Sequence, residues 1–219
     1  MDLPASDSME DHINNEKTAL HQAVSEDDNI EKILHILNEP TNTNLQDSDG
    51  NSALHLAAAR GASEVLLYLL EFGGNPNLQN KVLMETPLHR AVLHENQDCV
   101  DLLLKFGADP NMQEMSGMTL LHLIAKKSNT PCVLSLLIAK SDPNIQDHFA
   151  MTALHRSTRW HADESHALLI GHGAKVNLQD CNGDTALHSA VTKESVEMVS
   201  NLLAAGADPN ICSDYGITA

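Results

Sequence analysis

Leucine-rich runs alternate with polar turns along most of the chain. In runs such as EVLLYLLEF and CVDLLLKF, the leucines recur at the spacing of one helical face. Glycine follows several of these runs, at the position where a helix end favours a left-handed residue. These glycines are Gly73, Gly107, Gly173 and Gly206. After three of these glycines a proline, Pro76, Pro110 or Pro209, lies three residues further on and prevents the helix from resuming. The pattern predicts short helices separated by turns, and therefore an all-α fold.

A tetrapeptide of the form Thr/Ser-x-Leu-His recurs six times. Its histidines, which step by 34, 34, 33, 33 and 33 residues, are His21, His55, His89, His122, His155 and His188. The Thr or Ser is a favourable helix N-cap, and Pro87 falls on the first helical position, where its missing N–H costs nothing. A second landmark keeps the same period, at Asn77, Asn111, Asn144, Asn177 and Asn210. Two landmarks in phase indicate a tandem repeat.

The T-x-L-H-x-A start, the paired helices and the G-A-D-x-N ending resemble the ankyrin repeat from about Asn14 onward. The resemblance implies a solenoid of stacked antiparallel helix pairs with β-hairpin fingers projecting sideways. It also implies that the repeat histidines bridge loop and helix through hydrogen bonds. Because each helix pair must bury its apolar face against its neighbours, stability should be nearly one-dimensional.

The period divides the chain into an acidic, flexible leader and a series of repeats. The leader covers 1–13, and the repeats cover 14–47, 48–80, 81–114, 115–147, 148–180 and 181–213, with the start of a truncated seventh repeat at 214–219. Repeats four and five depart most from the pattern. Lys140 and Ala150 stand where glycine is expected, and Ile124 and Ser157 replace a small alanine.

Thirteen histidines raise the question of an enzyme or a metal site. Six belong to the repeat motif, and the spacing of His161, His166 and His172 does not put two imidazoles on one helical face, so we expect these three to be solvent-exposed. Cys99 and Cys132 occupy matching helical positions typical of small buried hydrophobes. With no nucleophile–base motif and no phosphate loop, the sequence predicts neither an enzyme nor a cofactor or metal site.

The formal net charge of -17 argues against nucleic acid as a partner, because phosphates would be repelled by most of the surface. No apolar stretch approaches the roughly 18–20 residues of a membrane span, and the N-terminus does not resemble a secretory signal. We expect a monomer in the cytoplasm or nucleus, with another protein as its partner.

Basic residues concentrate on one face of the first helix of each repeat. Positions one, four and five after the motif histidine contain seven of the chain's 13 Lys and Arg and one of its 30 acidic residues. The candidate binding residues there are Arg60, Arg90, His94, Lys126, Lys127, Arg156, Arg159, Trp160 and Lys193. In ankyrin-like arrays this face lines the concave surface where partners dock. The alternative, attraction of cations to helix C-termini, is worth about 0.3–1 kcal/mol and does not explain position one.

Apolar residues also occupy the predicted finger tips, where turns normally carry polar side chains. The candidate contact residues there are Leu83, Met84, Met115, Met118, Phe149 and Met151. Exposed apolar clusters mark contact surfaces, although packing between adjacent fingers would also explain them.

These features favour a scaffold or adaptor whose concave face binds an acidic, partly apolar protein segment. Two alternatives stay open: a targeting array for an enzymatic, toxin or ligase-recruiting region beyond residue 219, and a cytoplasmic inhibitor of a transcription factor. The repeat asparagines each follow a leucine by eight residues. This resembles the pattern that asparaginyl hydroxylases accept in ankyrin-type repeats, so hydroxylation is expected at Asn77, Asn111, Asn144, Asn177 and Asn210.

Overall fold

The computed structural model describes residues 19–26, 29–126 and 129–219. Within these ranges lie twelve helices: α1 Ala19–Glu26, α2 Ile30–Asn38, α3 Ala53–Arg60, α4 Ser63–Glu71, α5 Pro87–Leu93, α6 Gln97–Lys105, α7 Leu120–Ile124, α8 Thr130–Ile138, α9 Ala153–Arg159, α10 Asp163–Gly171, α11 Ala186–Thr192 and α12 Val196–Ala204. The predicted leader and Lys127 lie outside the described residues, so the repeat boundaries stay a prediction.

The helices form two layers that run along the stack. Odd-numbered helices pack against their odd-numbered neighbours, even-numbered helices pack against even-numbered ones, and each consecutive pair forms one repeat. Leucine, alanine and valine fill a core that continues from Leu20 to Ala207. Cys99 and Cys132 are buried in it, as predicted. The predicted all-α solenoid is confirmed.

The repeat histidine both caps its own helix and joins the next repeat. In repeat three, the backbone N–H of Thr86 donates to His89 Nδ1 at 3.2 Å, and Thr86 Oγ1 accepts from the backbone N–H of His89 at 3.3 Å. Because Nδ1 accepts, the ring proton lies on Nε2. In repeat two, His55 Nε2 donates across the interface to the Glu85 carbonyl at 3.0 Å. This bridge is the one that the resemblance implied.

The fingers are tight turns with little strand character. Across the described part of the chain the only isolated bridges join Gln179 to Thr185 and Cys212 to Thr218. Neighbouring tips are nevertheless hydrogen-bonded side by side. The Lys81 N–H donates to the Asp49 carbonyl at 2.9 Å, for example.

A row of glutamines links the fingers and was not anticipated from the sequence. Each side-chain amide donates to a carbonyl of its own finger and to a carbonyl of the next finger. The row consists of Gln46, Gln79, Gln113, Gln146 and Gln179. Because every such amide is satisfied by two repeats at once, the fingers are held in register along the stack.

Several non-glycine residues adopt left-handed backbone conformations. Lys140 has φ +64° and Ala150 has φ +54°, so both replace glycine without changing the local chain path, as the sequence predicted. Met84 has φ +56° in the third finger, whose loop is one residue longer than its counterparts. Left-handed geometry costs a non-glycine residue roughly 1–2 kcal/mol. Repeats four and five therefore carry strain that repeat two avoids.

Replacing Lys140 with glycine should stabilise the protein by up to about 1 kcal/mol. The relieved strain exceeds the entropy that glycine gains in the unfolded chain. Gly107 at φ +83° is the matched control, because a Cβ there would meet nothing within 4 Å. Gly107→Lys should destabilise by a similar amount, through backbone strain alone. Urea melts test both variants; a clear loss of stability in Lys140→Gly would contradict the prediction.

No helix in the described ranges is long and apolar enough to cross a bilayer.

Candidate protein-binding groove

The predicted basic face follows the odd-numbered helices, but its members differ in accessibility. Lys126, Arg159 and Lys193 are exposed, and so are Arg60 and His94. Arg60 Nη1 donates to the Val24 carbonyl of the preceding repeat. Arg90 and Arg156, the two arginines at position one, are only half-exposed.

Arg156 is already paired with a carboxylate of this chain. Its Nη2 and Nε lie 2.5 and 3.1 Å from Asp147 Oδ2, and the Asp147 side chain is fully buried. Burial alone would raise the pKa of Asp147. Hydrogen bonds from Arg156 and from the N–H groups of Phe149 and Met151 outweigh it, so the pKa is lowered. Arg156 was predicted to pair with a partner's carboxylate; the finger folds back and supplies that carboxylate internally.

Arg90 repeats this arrangement two repeats earlier. Its Nη1 lies 3.2 Å from Oε2 of Glu85, whose side chain is buried just before the helix cap. The position-one arginines are thus used to tie each finger to its helix. Contact of Arg90 with a partner carboxylate stays a prediction, and within the chain Arg90 is paired with Glu85.

Repeat five brings several predicted residues together around one cleft. A cavity of about 330 Å³ lies between α9 and the neighbouring fingers, lined by Phe149, Met151, Arg156, Arg159, Trp160, Asp180, Cys181 and Asn182. Trp160 is 59% exposed and Phe149 is 58% exposed. Large aromatic rings exposed to this extent beside a guanidinium are typical of interface hot spots.

Met151 was predicted to face water but is 7% exposed. It immediately precedes the helix cap at Thr152, and its carbonyl accepts from His122 Nε2 at 2.9 Å, which holds this part of the finger against the preceding repeat. Its remaining surface forms the floor of the cleft. Met118, at the equivalent position of repeat four, is half-buried.

A second, wider cavity of about 550 Å³ continues over repeat six. Arg159, Met151 and Asp180 line both cavities, so we treat the two as one groove. Lys193 lies at its far side, and Tyr215 and Ile217 add exposed apolar surface. Asp180 and Asp184 line the same cavity as these cations. The groove therefore presents both charges, and not the purely basic surface expected.

The fingers of repeats three and four form a separate apolar patch. Val82, Leu83, Met84 and Met115 are each 43–53% exposed, and the Met115 N–H donates to the Leu83 carbonyl at 2.8 Å. None of these residues lines the groove. The predicted finger contacts are thus split between two places on the molecule.

The repeat asparagines use their amides to join turns. Asn77 Oδ1 accepts from the Asp109 N–H at 2.7 Å, and Asn77 Nδ2 donates to the Gly107 carbonyl at 3.1 Å. Asn144 and Asn177 make the same pair of bonds to the following repeat. These bonds give the asparagines a structural role, and their hydroxylation stays a prediction.

Of the three additional histidines in repeat five, His161 and His172 are exposed as expected, but His166 is fully buried. The exposure prediction for His166 is wrong because the N-terminal end of α10 packs against α8 and α9, which encloses this position. Among the residues that the structure describes, no group of three or more His, Cys, Asp or Glu side chains could hold a metal ion.

Comparison with known proteins agrees with this architecture. The family model described as ankyrin repeats (3 copies) matches residues 20–114 and 121–212. The chain belongs to the ankyrin-repeat family. The matched segments run through both cavity-bearing repeats, so the groove is built from family repeats.

Three ankyrin proteins illustrate the similarity. The Drosophila melanogaster nuclear factor NF-kappa-B p110 subunit is 35% identical over 95 residues, 40% of this chain and 10% of that protein. An ankyrin repeat domain from Acinetobacter baumannii superimposes with TM-score 0.81 at 28% identity, covering 86% of this chain and 98% of that one. The ankyrin repeat domain of Bcl-3, a member of the IkappaB family, gives TM-score 0.86 at 25% identity, covering 94% and 93%.

Proposed function

We propose that this chain is a non-catalytic binding module whose groove over repeats five and six holds a segment of another protein. The observation that supports this most is the cleft that Trp160, Phe149 and Arg159 line together, with both aromatic side chains exposed. Ordinary turns and helix ends bury or avoid aromatic side chains. Here, two of them border a cavity, where a partner could cover them.

The chemistry of the groove suggests the kind of segment it would take. An apolar side chain would enter between the two aromatic rings, and a carboxylate would meet Arg159, which is exposed where Arg156 is internally paired. Asp180 and Asp184 would favour a hydrogen-bond donor or a cation further along the segment. The remaining, strongly acidic surface would repel acidic regions outside the groove, which adds selectivity.

One more specific candidate is an inhibitor of a transcription factor. Similarity to the Bcl-3 domain, whose family is IkappaB, and to part of an NF-kappa-B subunit favours it. The chain spans about a tenth of that subunit, so this partner is proposed on likeness of the repeats alone. All four cysteines are thiols rather than half-cystines, which fits a reducing compartment such as cytoplasm or nucleus.

Trp160→Ala should weaken binding by about 2 kcal/mol or more, about thirtyfold in Kd, if the indole is a hot spot. Arg159→Glu should weaken peptide binding more at low salt than at high salt, because salt screens electrostatic steering. The probe is a random-peptide display library selected against the full chain, with Kd then measured for the selected peptides.

Two substitutions outside the groove serve as controls. Ile138→Ala removes a 70% exposed side chain on α8, and Lys105→Glu reverses an exposed charge at the end of α6. Neither should change peptide affinity. If the affinity of the selected peptides is unchanged in both groove variants, or falls in Ile138→Ala, the binding surface lies elsewhere.

A further inference from the structure

Repeat five has a polar core where the other repeats have an apolar one. Ser157, Thr158, Ser165 and His166 are all fully buried at this point. The corresponding positions of repeat two, one hundred residues earlier, hold Ala57, Ala58, Val65 and Leu66, all buried as well. The imidazole of His166 thus occupies the volume of a core leucine.

The hydrogen bonds around His166 determine its tautomer. Ser157 Oγ and Thr158 Oγ1 each donate to the Leu154 carbonyl at 2.9 Å. A hydroxyl has a single proton, so neither can donate again. His166 Nδ1 lies 3.4 and 3.2 Å from these two oxygens and must be the donor. The neutral ring therefore carries its proton on Nδ1.

This leaves His166 Nε2 as a buried acceptor that has no hydrogen-bond partner. Protonation would turn it into a buried N–H with no acceptor, on a ring that now carries a charge. Both changes are unfavourable in a closed core and cost nothing once water can reach the ring. His55 differs, because both of its ring nitrogens are hydrogen-bonded in the folded state.

The surroundings offer little compensation for a charge on this ring. α8 contains no Asp, Glu, Lys or Arg. α9 carries His155, Arg156 and Arg159, α12 carries Glu197, and α10 itself carries Asp163 and Glu164. Of these, Asp163 alone acts on the imidazole charge, and burial outweighs it, lowering the pKa of His166 to about 4.

We propose that protonation of His166 favours the opening of repeat five, so that mild acid loosens the wall of the groove that α9 and Trp160 form. The opening follows from the geometry of the core, whereas its consequence for binding rests on the function proposed above. The site would thus bind its partner more weakly, by up to about tenfold, in a mildly acidic environment than at neutral pH.

The size of the effect follows from linkage. An imidazole in the opened repeat has its ordinary affinity for protons, whereas the buried ring is almost unprotonated at pH 5.5. Lowering the pH from 7.5 to 5.5 therefore raises the opening equilibrium of repeat five by about tenfold through this one group. Because each repeat contacts only its neighbours along the stack, such an opening can be local.

Hydrogen exchange of the full chain, followed by mass spectrometry at both pH values and corrected for intrinsic exchange rates, tests the proposal. The matched variant is His166→Leu, in which a leucine takes the position that Leu66 holds in repeat two. On lowering the pH to 5.5, the exchange of amides in α9 and α10 should increase about tenfold more in the wild type than in this variant. Amides of α3 and α5 should respond equally in both proteins. His172→Gln, which removes an exposed histidine just after α10, should behave as wild type. His166→Met, with a more adaptable side chain, provides a second variant should the leucine not fit.

An equal acid response of α9 and α10 in wild type and both His166 variants would overturn the proposal. Peptides selected for binding to the groove allow the opening of repeat five to be tested separately from the proposed function. The expected result is that affinity at pH 5.5 falls, by up to about tenfold, in the wild type and is retained in His166→Leu. Peptide binding that does not depend on the groove residues would refute the proposed function. The hydrogen-exchange measurement would still decide whether repeat five opens.

Discussion

Arg156→Glu will lower the free energy of unfolding by about 3 kcal/mol, because it removes the partner of a buried carboxylate and adds a second negative charge beside it. Asp147 has no exposed side-chain surface, and among the residues that the structure describes Arg156 is the cation paired with it. The remaining bonds to Asp147 come from the N–H groups of Phe149 and Met151 and cannot neutralise two carboxylates. Urea unfolding at pH 7 measures the loss.

Arg159→Glu is the matched control for this prediction. It makes the same change of charge one helical turn away, on a side chain that is exposed, and should alter stability by no more than about 0.5 kcal/mol. In a double-mutant cycle, Arg156→Gln combined with Asp147→Asn should be more stable than Arg156→Gln alone. The amide introduced at position 147 still accepts from the finger backbone and carries no buried charge. Equal stability of the two charge reversals would show that the ion pair does not hold the finger.

The whole array will lose several kcal/mol of stability as the pH falls from about 6.5 to 4. Burial lowers the pKa of His55 and of His89 to about 4, and lowers the pKa of His122 and His155 as well. The unfolded chain therefore binds more protons than the folded one in this interval, so stability rises with pH. The contribution is complete above the ordinary imidazole pKa and is lost as the pH falls toward 4. Each of the first two histidines accounts for roughly 3 kcal/mol over that range.

Urea melts at pH 7.0, 6.0 and 5.0 measure this slope directly. His89→Gln should reduce it, because a glutamine can still accept from the Thr86 N–H but does not titrate, and His89 Nε2 has no partner to lose. His172→Gln should leave the slope unchanged. Asp147, with its lowered pKa, adds a further loss only below about pH 4, where the carboxylate binds a proton more readily in the unfolded chain than in the folded one. A stability that is constant between pH 7 and 5 would contradict the assignment of buried, neutral repeat histidines.

Features that depend on a residue and its near neighbours along the chain could be predicted from the sequence. Thr86 caps α5, and Lys140 adopts the left-handed conformation of the glycine it replaces. Cys99 and Cys132 are buried where the helical period places them. These outcomes follow from hydrogen bonds and steric limits within a few residues, and repetition makes each of them visible several times. The family and the all-α solenoid were accessible for the same reason.

Which charged side chains are available in the groove depends on how the fingers fold back onto the helices. A basic stripe could be read along the first helices, but Asp147 lies nine residues before Arg156 and reaches it only because the finger turns between them. Likewise, the burial of His166 depends on α8 and α9 closing over α10, and the shared amide bonds of Gln46 or Gln113 need the next finger beside them. Helical periodicity orders side chains around one axis, whereas pairing and burial depend on distances between elements. The sequence alone therefore determined the repeating scaffold and the chemistry it carries, and only the tertiary structure decided which charges are left for a partner.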